Sequence, residues 1–130
     1  MVAQTVDGRR HQNLHEALAD LIDFGHLERY TMGEPALTQE LLRMFCDELR
    51  LFELGRHEDP AVQRRAVHRL KGAARAVGAF PLAEAAEWLE TLLVEEAPQE
   101  LLADARMDLQ VQLDALRDAC KRWKQANGDG

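Results

Sequence analysis

His68, Lys71 and Gly72 are the residues of this chain whose types and spacing can do chemistry. Imidazole is a nucleophile that is substantially neutral near pH 7. A lysine three positions on lies within reach of anything bonded to that ring. The glycine is the odd member, because inside a helix it costs about 1 kcal/mol relative to alanine. Its placement one turn after the histidine suggests cleared space for something large approaching the ring. A phosphoryl group accepted on a ring nitrogen would suit the set. Lys71 would neutralise its oxygens, with Arg75 or Arg64 helping further out. Such transfer needs in-line positioning and charge stabilisation, which two docked rigid surfaces can supply. Geometry alone does not name the anion.

Projecting residues 60–77 at about 100° per residue places Arg75 about 20° and Arg64 about 40° from His68. On the same projection Gly72 lies about 40° away, and Lys71 and Arg65 about 60° away on opposite sides. Ala66, Leu70, Ala73, Ala74 and Val77 fall on the far side. His68 is therefore expected to face solvent within a basic stripe that also carries Arg69. The segment 61–80 holds five basic residues and no acid in a chain of net charge −7. A positive island on a negative protein should attract an acidic surface or an anion. A solvated surface histidine on a basic face is the plain alternative, but it leaves Gly72 and the placement of Lys71 unexplained.

The helices that must position this set are punctuated by proline and glycine. Pro35, Pro60, Pro81 and Pro98 each fall where a helix can begin, since the first helical N–H has no partner anyway. Asp59 can cap the helix that Pro60 opens. Gly55 and Gly78 supply stops. Four segments follow, at about 35–54, 60–77, 81–95 and 98–125. Their expected apolar stripes are Leu37, Leu41, Met44 or Phe45, Leu49 and Phe52; Val67, Leu70, Ala74 and Val77; Leu82, Ala85, Leu89 and Leu92; and Leu101, Ala105, Leu109, Leu113, Leu116 and Cys120 or Trp123. Short connections make neighbours antiparallel, so the expected fold is all-α, an up-down four-helix bundle over about 35–125. Residues 13–30 read as one or two short helices, broken near Gly25, packed across an end of the bundle. Residues 126–130 read as a frayed tail. The whole chain, 1–130, reads as one domain.

The joined motif resembles the signature of histidine-containing phosphotransfer (HPt) domains: His68, Leu70, Lys71, Gly72, Ala74, then Gly78-Ala79, Leu82 and Leu89-Glu90. The resemblance implies a four-helix bundle that displays the histidine on its second core helix, where a receiver domain docks. It implies His68 as the phospho-accepting residue, Lys71 as its charge partner and Gly72 as the clearance position. Arg64, Arg65, Arg69 and Arg75 would border the partner. Two positions depart from the pattern: Val67 stands where alanine is usual, and Ala76 where a polar residue such as asparagine is common. The function so implied is a two-component phosphorelay shuttle, accepting phosphoryl from a receiver aspartate and passing it to another receiver. Its partners would be receiver domains of response regulators or a hybrid sensor histidine kinase. Alternatives are a domain cut from a larger hybrid or chemotaxis-type kinase, and a non-catalytic adaptor for an acidic surface, which would need neither Lys71 nor Gly72. An ordinary start and a tail without a linker favour the stand-alone form.

No Gly-rich nucleotide loop is present, so a phosphocarrier without ATP-dependent kinase activity is expected, with no cofactor of its own. Any Mg²⁺ would come with the receiver's aspartate pocket. Acidic net charge argues against nucleic acid or anionic membrane as partner. No apolar run approaches a membrane span and Met1 to Arg10 lack a signal-peptide core, so a cytoplasmic monomer is expected. Cys46 and Cys120 lie in apolar helical patterns and read as buried reduced thiols, with a disulfide or reactive thiol as the alternative. His11 and His15 have helical metal-ligand spacing but no third ligand nearby, so no metal site is expected. His26 and His57 read as surface residues of turns. Glu84, Glu87, Glu90, Glu95 and Glu96 read as a solvated acidic face. Trp88 reads as packing at the bundle edge, or as half-exposed at the rim of the docking surface.

Overall fold

The computed structural model describes Leu18, residues 20–54 and residues 59–126. Its helices are α1 (Phe24–Tyr30), α2 (Pro35–Leu51), α3 (Pro60–Val77), α4 (Phe80–Val94) and α5 (Gln99–Ala126). No strand occurs among the described residues. Pro35 opens α2 and Pro60 opens α3, and the Asp59 carboxylate accepts from the Ala61 N–H at 2.9 Å. That bond satisfies one of the donors a helix start leaves unpaired. Gly78 ends α3 in the left-handed conformation, with φ 84°. A side chain there would also come within 2.7 Å of the Asp23 carbonyl oxygen. Only glycine fits both demands.

Helices α2, α3, α4 and α5 pack in a ring, each against its neighbours in sequence, with α2 closing against α5. Leu49, Leu82, Leu89, Leu109, Leu113 and Leu116 fill the interior with 1% exposure or less. The all-α bundle read from the sequence is thus the fold, and its helix limits fall within a few residues of those expected. α1 packs on α3, where the Asp23 N–H donates to the Gly78 carbonyl at 2.8 Å. It therefore sits at an end of the bundle.

Several expectations need correction. The break before α1 lies at residues 20–23, just ahead of Gly25, because Asp23 caps the helix by accepting from the His26 N–H at 3.1 Å. His26 is not a turn residue: it is in α1, half-buried, with its ring edge-on to Phe80 at 5.2 Å. The buried face of α2 is Leu42, Phe45, Cys46 and Leu49, while Leu37 and Met44 face outward. In α5 the buried row starts at Leu102, and Leu101 is exposed. Cys46 and Cys120 are buried as expected but are joined in a disulfide, not free thiols. Gly55 and His57, His11 and His15, and residues 127–130 of the tail lie outside the described residues. Among the described residues no group of three or more His, Cys, Asp or Glu could hold a metal ion. None of the described helices is long and apolar enough to cross a membrane.

Candidate functional site

His68 stands midway along α3, its side chain 65% exposed. Val67 and Leu70 on either side are buried, so the helix is anchored through them and the imidazole is pushed outward. Glu90 reaches across from α4. Its Oε2 lies 2.6 Å from His68 Nδ1, and its Oε1 accepts from Lys71 Nζ at 2.5 Å. One carboxylate thus holds both the histidine and the lysine that the sequence singled out. Further along α3, Arg75 meets Glu87, about one turn back along α4, at 3.1 Å. Pairs that advance on one helix and retreat on the other are the mark of antiparallel neighbours.

Burial pushes the Glu90 carboxyl up, but hydrogen bonds from Lys71 and His68 outweigh it and hold the group below its ordinary value of 4.5. Glu90 is therefore ionised at neutral pH, and an ionised carboxylate offers only acceptors. His68 Nδ1 must then be the donor. In the neutral ring this leaves Nε2 without a proton and its lone pair available, which is the tautomer a nucleophile on an exposed ring requires.

Gly72 is exposed in helical backbone, and a methyl group built on it would meet nothing within 4 Å. The fold itself therefore does not demand the glycine. Lys71 is less available than its sequence position suggests, at 14% side-chain exposure and engaged by Glu90. Arg64, Arg65, Arg69 and Arg75 are all exposed. Arg64 also lines a groove of about 720 Å³ between the start of α3 and the α4–α5 turn. Val67 is buried and Ala76 exposed, so the two departures from the HPt pattern fall one in the core and one on the surface. Trp88 is 50% exposed, but two residues from Glu90 it is displaced by about 200° around α4, off the His68 edge.

Sequence reasoning placed Glu90 on a solvated face, although the side chain is only 16% exposed. Two signals were available: Glu90 belongs to the quoted motif, and Glu87 and Glu90 repeat at one helical turn, as do Lys71 and Arg75.

The bundle thus presents an exposed, carboxylate-paired imidazole beside a lysine and a bare glycine. The chain belongs to the Hpt domain family, whose model matches residues 39–126. Membership carries a histidine phosphotransfer role in a phosphorelay. Among solved structures, a rice protein described as a histidine-containing phosphotransfer protein matches with a TM-score of 0.61 at 15% identity. The match covers 94% of this chain and 99% of that one, and at this identity it speaks for the fold alone. None of the curated proteins matches this sequence.

Proposed function

We propose that His68 Nε2 takes a phosphoryl group from the aspartyl phosphate of a receiver domain and passes it to a second receiver. The Nε2 lone pair attacks phosphorus, the bond from phosphorus to the aspartate oxygen breaks, and the aspartate leaves as carboxylate. The N–P bond makes the ring cationic while Nδ1 keeps its proton. Glu90 already faces that proton with a full negative charge, so its stabilisation grows as the ring becomes charged. The reverse reaction uses the same contacts. Glu90 is a positioning residue in this scheme: it fixes the tautomer and never touches phosphorus.

Lys71 is the charge partner of the phosphoryl oxygens, reached by turning from Glu90 towards the new anion. Gly72 leaves the approach open for a receiver's active site, and Arg64, Arg65, Arg69 and Arg75 offer it a positive border. Mg²⁺ arrives with the receiver. The protein acts as a cytoplasmic phosphocarrier without kinase activity of its own. The observation that carries this reading is the Glu90 carboxylate bound to Nδ1, because it frees the outward nitrogen.

The test is phosphoryl transfer from a phosphorylated receiver, followed on the protein as an acid-labile, base-stable label. Labelling should vanish in His68→Gln with the helical spectrum unchanged. Persistent label in that variant would remove His68 from the reaction.

A further inference from the structure

We propose that Cys46 and Cys120 form a dithiol–disulfide exchange site that latches α2 to α5 and opens only when α2 lifts from the bundle. The two residues are 74 positions apart in sequence, yet their Cα atoms are 5.7 Å apart. That separation lies inside the range a disulfide spans without backbone movement. Each cysteine is 5% exposed, among Leu42, Phe45 and Leu49 on α2 and Leu116, Ala119 and Trp123 on α5. A small thiol or disulfide cannot attack in line at a sulfur so enclosed. Exchange must then proceed through the population in which this edge has opened.

Two further ties cross the same edge, and opening must break both. Arg117 of α5 donates Nε to the Leu49 carbonyl at 2.8 Å and Nη2 to the Phe52 carbonyl, two acceptors at the end of α2. Lys124 donates to Asp47, the neighbour of Cys46. The latch and its guards therefore sit together.

The reacting partner is a small-molecule disulfide of the glutathione class. One protein thiolate attacks a sulfur of that disulfide, its S–S bond breaks, and one small thiolate leaves. The second protein thiolate then attacks the protein sulfur of the mixed disulfide and expels the other small thiolate. Two protein thiols lose two protons and two electrons, and the small disulfide is reduced to two thiols. A small dithiol runs the sequence backwards. Closing so long a loop restricts the unfolded chain, so the oxidised protein should melt higher by roughly 10 °C or more.

The experiment uses the full chain, treated with excess oxidised glutathione or with dithiothreitol. Alkylation in denaturant counts thiols by mass, each form is melted, and the rate of reduction in native buffer is followed. The expected result is no free thiol and the higher melting temperature after oxidation, and two thiols after reduction. Reduction should be at least about tenfold faster in Arg117→Ala, as loss of about 1.4 kcal/mol of edge stability would make it. Two thiols remaining after oxidation, or equal melting temperatures, would overturn the latch. An unchanged rate in Arg117→Ala would overturn its gating by α2. The reduced natural sequence is the reference, so nothing depends on a cysteine variant folding.

Discussion

The α3–α4 edge and the α2–α5 edge are both junctions between antiparallel helices, yet they are built for opposite ends. The α2–α5 edge is closed by a disulfide, by Arg117 on two helix-terminal carbonyls, and by Lys124 on Asp47. These polar groups tie two helices together. On the α3–α4 edge, by contrast, Glu90 ends on an imidazole that is 65% exposed. A bond to a group that half belongs to solvent adds little stability, as measured exposed pairs show. In the proposed scheme, what it does is choose a tautomer. The difference teaches that the same contact chemistry is structural when its partners only tie two helices together, and becomes available for chemistry when one of them is a ring offered to solvent.

The contrast breaks most readily at Glu90. Glu90→Gln keeps the shape but replaces a charged acceptor by an amide that can present its NH₂ to Nδ1, favouring the unwanted tautomer. Loss of a hydrogen bond to a charged group, about 1.5–3 kcal/mol, corresponds to a transfer rate lower by roughly tenfold to a hundredfold. Nitrogen-15 shifts of the His68 ring should show the proton moving from Nδ1 to Nε2. An unaltered tautomer would remove the role assigned to Glu90.

On the other edge the effect should fall on stability alone. Arg117→Ala leaves the Leu49 and Phe52 carbonyls without their donor and should lower unfolding stability by about 2 kcal/mol. The transfer rate per folded molecule should not move, which denaturant titration alongside a labelling assay would read.

Acid sharpens the same comparison. Glu90 is held below its ordinary 4.5, so its contribution to the folded state is complete above that value and is lost as pH falls through the lower folded-state value. Amides of α3 and α4 beside Glu90 should therefore lose hydrogen-exchange protection in that window. Asp47 is also held down, through its hydrogen bond from Lys124, from an ordinary 3.8. Its edge, however, keeps the disulfide and Arg117 and should stay protected. Simultaneous loss on both edges would erase the distinction.

The smallest expected change is at Gly72. Gly72→Leu enters open space on a helix and should raise stability by about 0.8 kcal/mol. Transfer from a receiver should slow, while phosphorylation by a small donor such as phosphoramidate should not. Equal slowing with both donors would mean that the side chain disturbs the ring rather than the approach.

Much of this was legible in the sequence because its signals are local. Pro35, Pro60 and Gly78 act within one turn of helix, so the limits of α2 and α3 could be read from them. His68, Lys71 and Gly72 share one helix, so their common face followed from its pitch. Apart from the start of α1, which the local Asp23 cap sets, the errors arose where two helices had to be rotated or slid against each other. α2 carries two apolar rows, and only its packing against α3 and α5 selects Leu42, Phe45 and Leu49 over Leu37 and Met44. The meeting of Cys46 with Cys120, and of Glu90 with His68, likewise depends on interhelical register, which no single helix encodes.

Glu90 shares its two oxygens between His68 and Lys71, and sharing makes the two residues thermodynamically linked. Whatever an arriving phosphoryl group does to the hold of Lys71 on Glu90, that hold does in equal measure to the affinity for the phosphoryl group. In the proposed transfer, drawing Lys71 away also leaves the carboxylate charge to the imidazole ring alone, at the moment the ring turns cationic. The carboxylate thus serves as a common ledger for two cations, and a change recorded at one is at once a change in the terms offered to the other.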